Sequence, residues 1–63
     1  MSTGKKLKAL RGDKTQEEGA ADLGISKSAL AMYERDERIP RDEVKVQIAN
    51  YYKESVGALF YGE

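Results

Sequence analysis

The chain has no cysteine, no histidine, no tryptophan and a single proline. Without cysteine there is no disulfide, and without cysteine or histidine the ordinary zinc-ligand spacings are absent. No phosphate-cradling glycine loop is present. The adjacent carboxylates Glu17-Glu18 and Asp42-Glu43 would point about 100° apart on a helix and do not converge on one substrate. The expectation is therefore no enzyme, no cofactor, no metal and no small-molecule substrate. No apolar run approaches the roughly 18 residues that cross a bilayer, and the N-terminus lacks the apolar stretch of a secretory signal. A cytoplasmic protein with no membrane partner is expected.

What is present is a small, charged, helix-forming chain. At 63 residues a fold buries only about 60 % of the surface exposed by the unfolded chain, so the core must be thin. Hydrophobic residues make up 40 % and charged residues 35 %, a balance suited to short amphipathic helices rather than a disordered tail. The formal net charge is +0, which is unlike the basic face that phosphate binding normally requires. The charge is unevenly placed, however. Through Arg35 there are seven Lys and Arg against five Asp and Glu, and from Asp36 onward four against six. The first half, with Lys5, Lys6, Lys8, Arg11, Lys14, Lys27 and Arg35, is thus a candidate phosphate-facing surface.

Apolar residues recur at three- and four-residue steps: Leu7 and Leu10; Ala20 and Leu23; Leu30 and Tyr33; Val44, Ile48, Tyr51 and Tyr52. That spacing predicts helices. The punctuation divides them into five. The first runs from about Gly4 to Gly12. Thr15-Gln16-Glu17-Glu18 is a capping box opening the second, which Gly24 stops. Ser26 caps a third that runs to about Arg35. Asp42 and Glu43 suit the positive end of a fourth, through Tyr52, and Ser55 caps a short fifth over Val56 to Phe60. The expected unit is a single all-α domain spanning 4–61.

Two helices joined by a tight glycine turn, the second opening on a serine cap, describe a helix-turn-helix over 16–35. Ala20 is small where two helices must approach, and Ile25 and Leu30 supply inward apolar groups. Thr15-Gln16-Glu17-Glu18, Ala20, Leu23-Gly24-Ile25-Ser26, Tyr33-Glu34, Glu37-Arg38-Ile39-Pro40, Ile48-Ala49 and Leu59-Phe60 occur in order and in register. In these residues the sequence closely resembles the Cro/CI-type, or XRE, family of helix-turn-helix regulators. The resemblance implies a compact lambda-repressor-like bundle of about five short helices whose third helix enters the major groove of double-stranded DNA. By position it assigns base-edge contacts to Lys27, Ser28, Ala31 and Met32, with Arg35 at the helix end, and a backbone contact to Gln16. It also implies a buried ion pair between Arg11 and Glu34, and gives Gly24 its structural place in the turn.

The pattern is broken in three places. Gly19 stands where the family usually has an inward aliphatic residue, predicting either marginal stability or a gap filled by a neighbour such as Tyr33 or Tyr51. The connection Gly12-Asp13-Lys14 is short. Lys45 occupies an inward position of the fourth helix, between Val44 and Val46.

Val56, Leu59, Phe60 and Tyr61 form an apolar cluster that either caps the monomer core or joins two copies. The resemblance favours a homodimer on a palindromic operator. The function implied is transcriptional regulation, expected as repression of the phage or mobile-element type by a nucleoid-associated protein. The competing expectation is an antitoxin-like interaction module on the same fold.

Overall fold

A computed structural model describes residues 2–62. Within it the backbone forms five helices and no strand: α1 (Thr3–Arg11), α2 (Gln16–Leu23), α3 (Lys27–Glu34), α4 (Asp42–Tyr52) and α5 (Val56–Phe60). Four of the five begin at a hydroxyl cap. Ser2 accepts from the Lys5 amide, Thr15 from Glu18, Ser26 from Ala29 and Ser55 from Ala58. At Thr15 the box is complete, since the Glu18 carboxylate accepts in return from the Thr15 amide at 2.9 Å. Each cap satisfies an amide that the helix itself leaves without a partner. α4 alone lacks a side-chain cap and carries Asp42 and Glu43 in its first turn instead.

The three middle helices end in the same way. After α2, the Gly24 amide donates to Ala21 and the Ile25 amide to Ala20. After α3, Asp36 donates to Tyr33 and Glu37 to Met32; after α4, Lys53 donates to Asn50 and Glu54 to Ala49. This paired pattern satisfies the last carbonyls and needs a left-handed residue at the turn. Gly24 takes φ +71° without cost, whereas Asp36 at +59° and Lys53 at +57° carry side chains there. Glycine marked the first of these ends in the sequence; nothing marked the other two.

The core is Leu7, Ala20, Leu23, Leu30, Tyr33, Ile48, Ala49 and Leu59, drawn from all five helices, with Ile25, Ala29, Val44, Tyr52, Val56 and Phe60 packed around it. This settles the rotation of α4: Val44, Lys45, Ile48, Ala49 and Tyr52 turn inward, while Val46 and Tyr51 are exposed. It also divides the C-terminal cluster, expected either to cap the monomer core or to join two copies. Leu59 is only 3 % exposed and belongs to the monomer core, and Val56 and Phe60 pack half-buried beside it, so of that cluster Tyr61 alone stands out in solvent.

Gly19 is buried, and the neighbour that covers it is neither Tyr33 nor Tyr51. A Cβ placed there would lie 3.1 Å from Arg11 Cδ and 3.3 Å from Leu30 Cδ2. The aliphatic stem of Arg11 fills the space, as long cationic side chains do when only the head needs polar contact. The short connection is braced as well. Arg11 donates to the Lys14 carbonyl, and the Lys14 ammonium meets Asp22 on α2 and the Tyr51 hydroxyl on α4, 3.1 Å away.

Candidate nucleic-acid interface

The turn between α2 and α3 is built from three residues with separate tasks. Gly24 reverses the chain in the left-handed region, Ile25 packs against the core, and Ser26 restarts the helix. α4 closes over this turn, with the Gln47 amide donating to the Leu23 carbonyl. A helix pair joined so tightly leaves α3 little freedom relative to α2.

On α3 the helical repeat sorts the side chains. Leu30 and Tyr33 face the core and Glu34 is buried beside them. Lys27, Ser28 and Arg35 are exposed, while Ala31 and Met32 are half-buried. These five, together with Gln16 from the first turn of α2, line one shallow, open concavity. All six residues expected to contact DNA are therefore brought together. Met32 is thus half-buried while still lining the concavity.

Behind this surface lies the ion pair. Arg11 Nε donates to Glu34 Oε2 at 2.7 Å and Nη2 to Oε1 at 3.1 Å. The side chains are 13 % and 2 % exposed. The hydrogen bonds to Glu34 raise the pKa of the Arg11 guanidinium, against the opposing effect of burial. Glu34 Oε1 also accepts from Gln16 Nε2 at 3.1 Å. The buried pair thus orients the Gln16 amide. One of its two N–H groups is taken by Glu34 and the other is left for an outside acceptor.

The charge distribution differs from the expectation of one basic surface drawn from the first half. Arg11 is paired with Glu34, Lys14 is held by Asp22, and Lys6 donates to the Ala58 carbonyl of α5. Only Lys27 and Arg35 line the concavity. Arg35 is additionally paired with Glu37 at 3.0 Å, both more than half exposed, a pair of little strength in water. Glu37 is the residue here whose effect on the surface was not foreseen. Its only sequence signal was a carboxylate two places beyond Arg35.

The α1 end of the site is held by Asp36. Its Oδ1 accepts from the Gly4 amide at 2.9 Å, and hydrogen bonds from Ser2 and Gly4 hold its carboxyl below the usual range. Gly4 is needed there, because a Cβ would lie 2.3 Å from the Glu34 carbonyl oxygen.

No helix among the described residues is long and apolar enough to cross a membrane. No curated protein matches the chain. A family model described as helix-turn-helix matches residues 6–59. That match spans all of α2, α3 and α4 and most of α1 and α5, and the geometry within it is the capped, glycine-turned pair just described. The chain belongs to the helix-turn-helix family of Cro/CI, or XRE, type, and is a DNA-binding transcriptional regulator.

Proposed function

We propose that the chain is a repressor of phage or mobile-element type that acts by occupying its operator. The unit formed by residues 4–61 places α3 in the major groove. Lys27 and Ser28 meet base edges or phosphate, Ala31 and Met32 pack on thymine methyl groups, and Arg35 reaches the groove edge. Gln16, its amide set by Glu34, donates to a backbone phosphate. Two copies joined at the Tyr61 end of α5, with Val56 and Phe60 beside it, present paired α3 helices about 34 Å apart to a palindromic site. The protein works in the cytoplasm, at the nucleoid. The observation that carries this reading is the assembly of Gln16, Lys27, Ser28, Ala31, Met32 and Arg35 around one concavity.

Selection of bound sequences from a random duplex pool at about 0.1 M salt, where exposed charges are screened beyond roughly 10 Å, tests it. A palindromic consensus is expected, lost in Lys27→Ala and Ser28→Ala while both variants stay folded. Folded protein with no enriched sequence refutes the reading. A second reading, an antitoxin-like module that holds a protein partner, is favoured by the balanced charge and by having only two basic residues at the concavity. It predicts weak DNA binding with a shallow salt dependence.

A further inference from the structure

We propose that the cavity between the α3–α4 loop, α4 and α5 binds a small organic carboxylate, its acid group met by Lys45 and Tyr33 and its apolar body by Ile39, Pro40 and Phe60. The cavity is about 250 Å³ in volume and all five residues line it.

Lys45 is 8 % exposed, an inward lysine in a stripe that is otherwise apolar. Its ammonium has three N–H groups, of which one goes to the Tyr61 hydroxyl at 2.7 Å. With Nζ 4.7 Å from the centroid of that ring, the charge lies beyond the hydroxyl edge and not over the ring face. Its carboxylate partner is Asp42, at 3.8 Å and with a side chain 96 % exposed. The Phe60 ring centroid lies 5.8 Å from Nζ, and with one N–H on Tyr61 and Asp42 beyond hydrogen-bond reach, Nζ keeps donors for a ligand.

Tyr33 stands on the same wall. It is 8 % exposed and lines the cavity; since no buried side-chain oxygen among the described residues lacks a partner, its hydroxyl, which bonds to no other described residue, opens to solvent. Two further charged groups line the cavity, Arg38 and Asp36. Asp36 keeps its negative charge while accepting from the Gly4 amide, so the three charged groups on the lining, Lys45, Arg38 and Asp36, leave one net positive charge. A single carboxylate accepts from Lys45 and Tyr33 at once. The apolar part of the ligand then covers Ile39, which is 77 % exposed.

Tyr33 lies in the last turn of α3, and Asp36 in the turn that ends it. An occupied cavity therefore ties the end of the recognition helix to α4 and α5. The binding itself does not depend on the DNA reading, and the test uses no DNA.

The whole chain is titrated with benzoate, with neutral benzamide and with inorganic phosphate, followed by amide shifts and Tm. Benzoate is expected to shift Tyr33, Ile39, Lys45 and Phe60 saturably and to raise Tm, because a ligand of the native state stabilises it. Benzamide and phosphate are expected to do neither. Lys45→Met, which replaces the buried cation by an apolar chain of similar length, is expected to weaken benzoate at least about tenfold. Tyr33→Phe, which removes only the hydroxyl, is expected to weaken it about threefold. Equal binding of benzoate and benzamide, equal shifts with phosphate, no saturable shift with benzoate, or unaltered affinity in both variants each overturns the proposal. The titration is run at one protein concentration, because two copies meeting beside Phe60 would move its amide on their own; movement of the Tyr33 and Lys45 amides with protein concentration alone also overturns the proposal.

Discussion

The stem of Arg11 lies across Gly19, and its guanidinium is held at 2.7 Å by Glu34 on α3. Gly19 thus sits under a buried ion pair, and its missing side chain leaves the room that the arginine occupies. This changes the outcome expected from filling the position. Gly19→Leu must push Arg11 off Glu34, and overpacking alone costs about 1–3 kcal/mol. Its Tm is expected to fall. Gly19→Ala gains about 1 kcal/mol of helix propensity against a Cβ contact of 3.1 Å, and should stay close to the parent. Thermal melts of the two variants check this, and a rise for Gly19→Leu would refute the packing described.

Removing one partner of the pair should be far more damaging than removing both. Glu34→Ala strands the Arg11 charge and releases Gln16, and is expected to cost about 3–5 kcal/mol, a large fraction of the stability of any small domain. Arg11→Met combined with Glu34→Ala leaves no unpaired charge and should recover part of the loss. Urea titrations of both singles and the double give the coupling directly. Simple additivity would show that the pair contributes nothing specific.

Arg35 lines the concavity and has the Glu37 carboxylate 3.0 Å away, a negative charge that would oppose phosphate if the concavity meets DNA as proposed. Glu37→Gln should therefore tighten operator binding severalfold and steepen its salt dependence, since an unpaired arginine neutralises more of the phosphate charge. Lys27→Ala should do the reverse, weakening binding and reducing the salt slope by about one. Affinities measured across a salt series decide; a Glu37→Gln slope no different from the parent would place Arg35 away from the duplex.

The Asp36 carboxyl is held low in the folded chain by the Ser2 hydroxyl and the Gly4 amide. It therefore favours the fold at pH values above its unfolded pKa, about 4, and that contribution disappears as the pH falls through the lowered value. Asp36→Asn keeps the left-handed turn and an acceptor for Gly4 but has no proton to gain. Its Tm should drop less than the parent's between pH 7 and pH 3. Some acid sensitivity should persist through Asp22, whose carboxyl is held low by Lys14 and then Tyr51. Identical acid losses in parent and variant would exclude Asp36 as a source.

Lys53 ends α4 at φ +57° and is exposed. A side chain in that region costs about 1 kcal/mol, so Lys53→Gly should raise Tm by roughly 4–8 °C. A melt showing no gain would mean that the unfolded-state entropy of glycine cancels the relief.

Much of this molecule was determined locally. Thr15 with Glu18, Gly24, Ser26 and Ser55 mark helix ends by hydrogen bonds reaching three or four residues, so the sequence alone carries them. The three- and four-residue apolar spacing likewise sets which side of each helix is wet, and so brings Gln16 and the outer residues of α3 to one face. What only the tertiary structure decided depends on residues far apart in the chain. Arg11 fills the space above Gly19, Asp36 caps the start of α1 while ending α3, Leu59 joins the core instead of an outer patch, and Lys45 turns under Tyr61. None of these follows from a periodicity, because a pattern says that a position is inward and not which side chain will meet it there. In so thin a core those meetings, stem against glycine and carboxylate against a remote helix end, fix how the helices sit together.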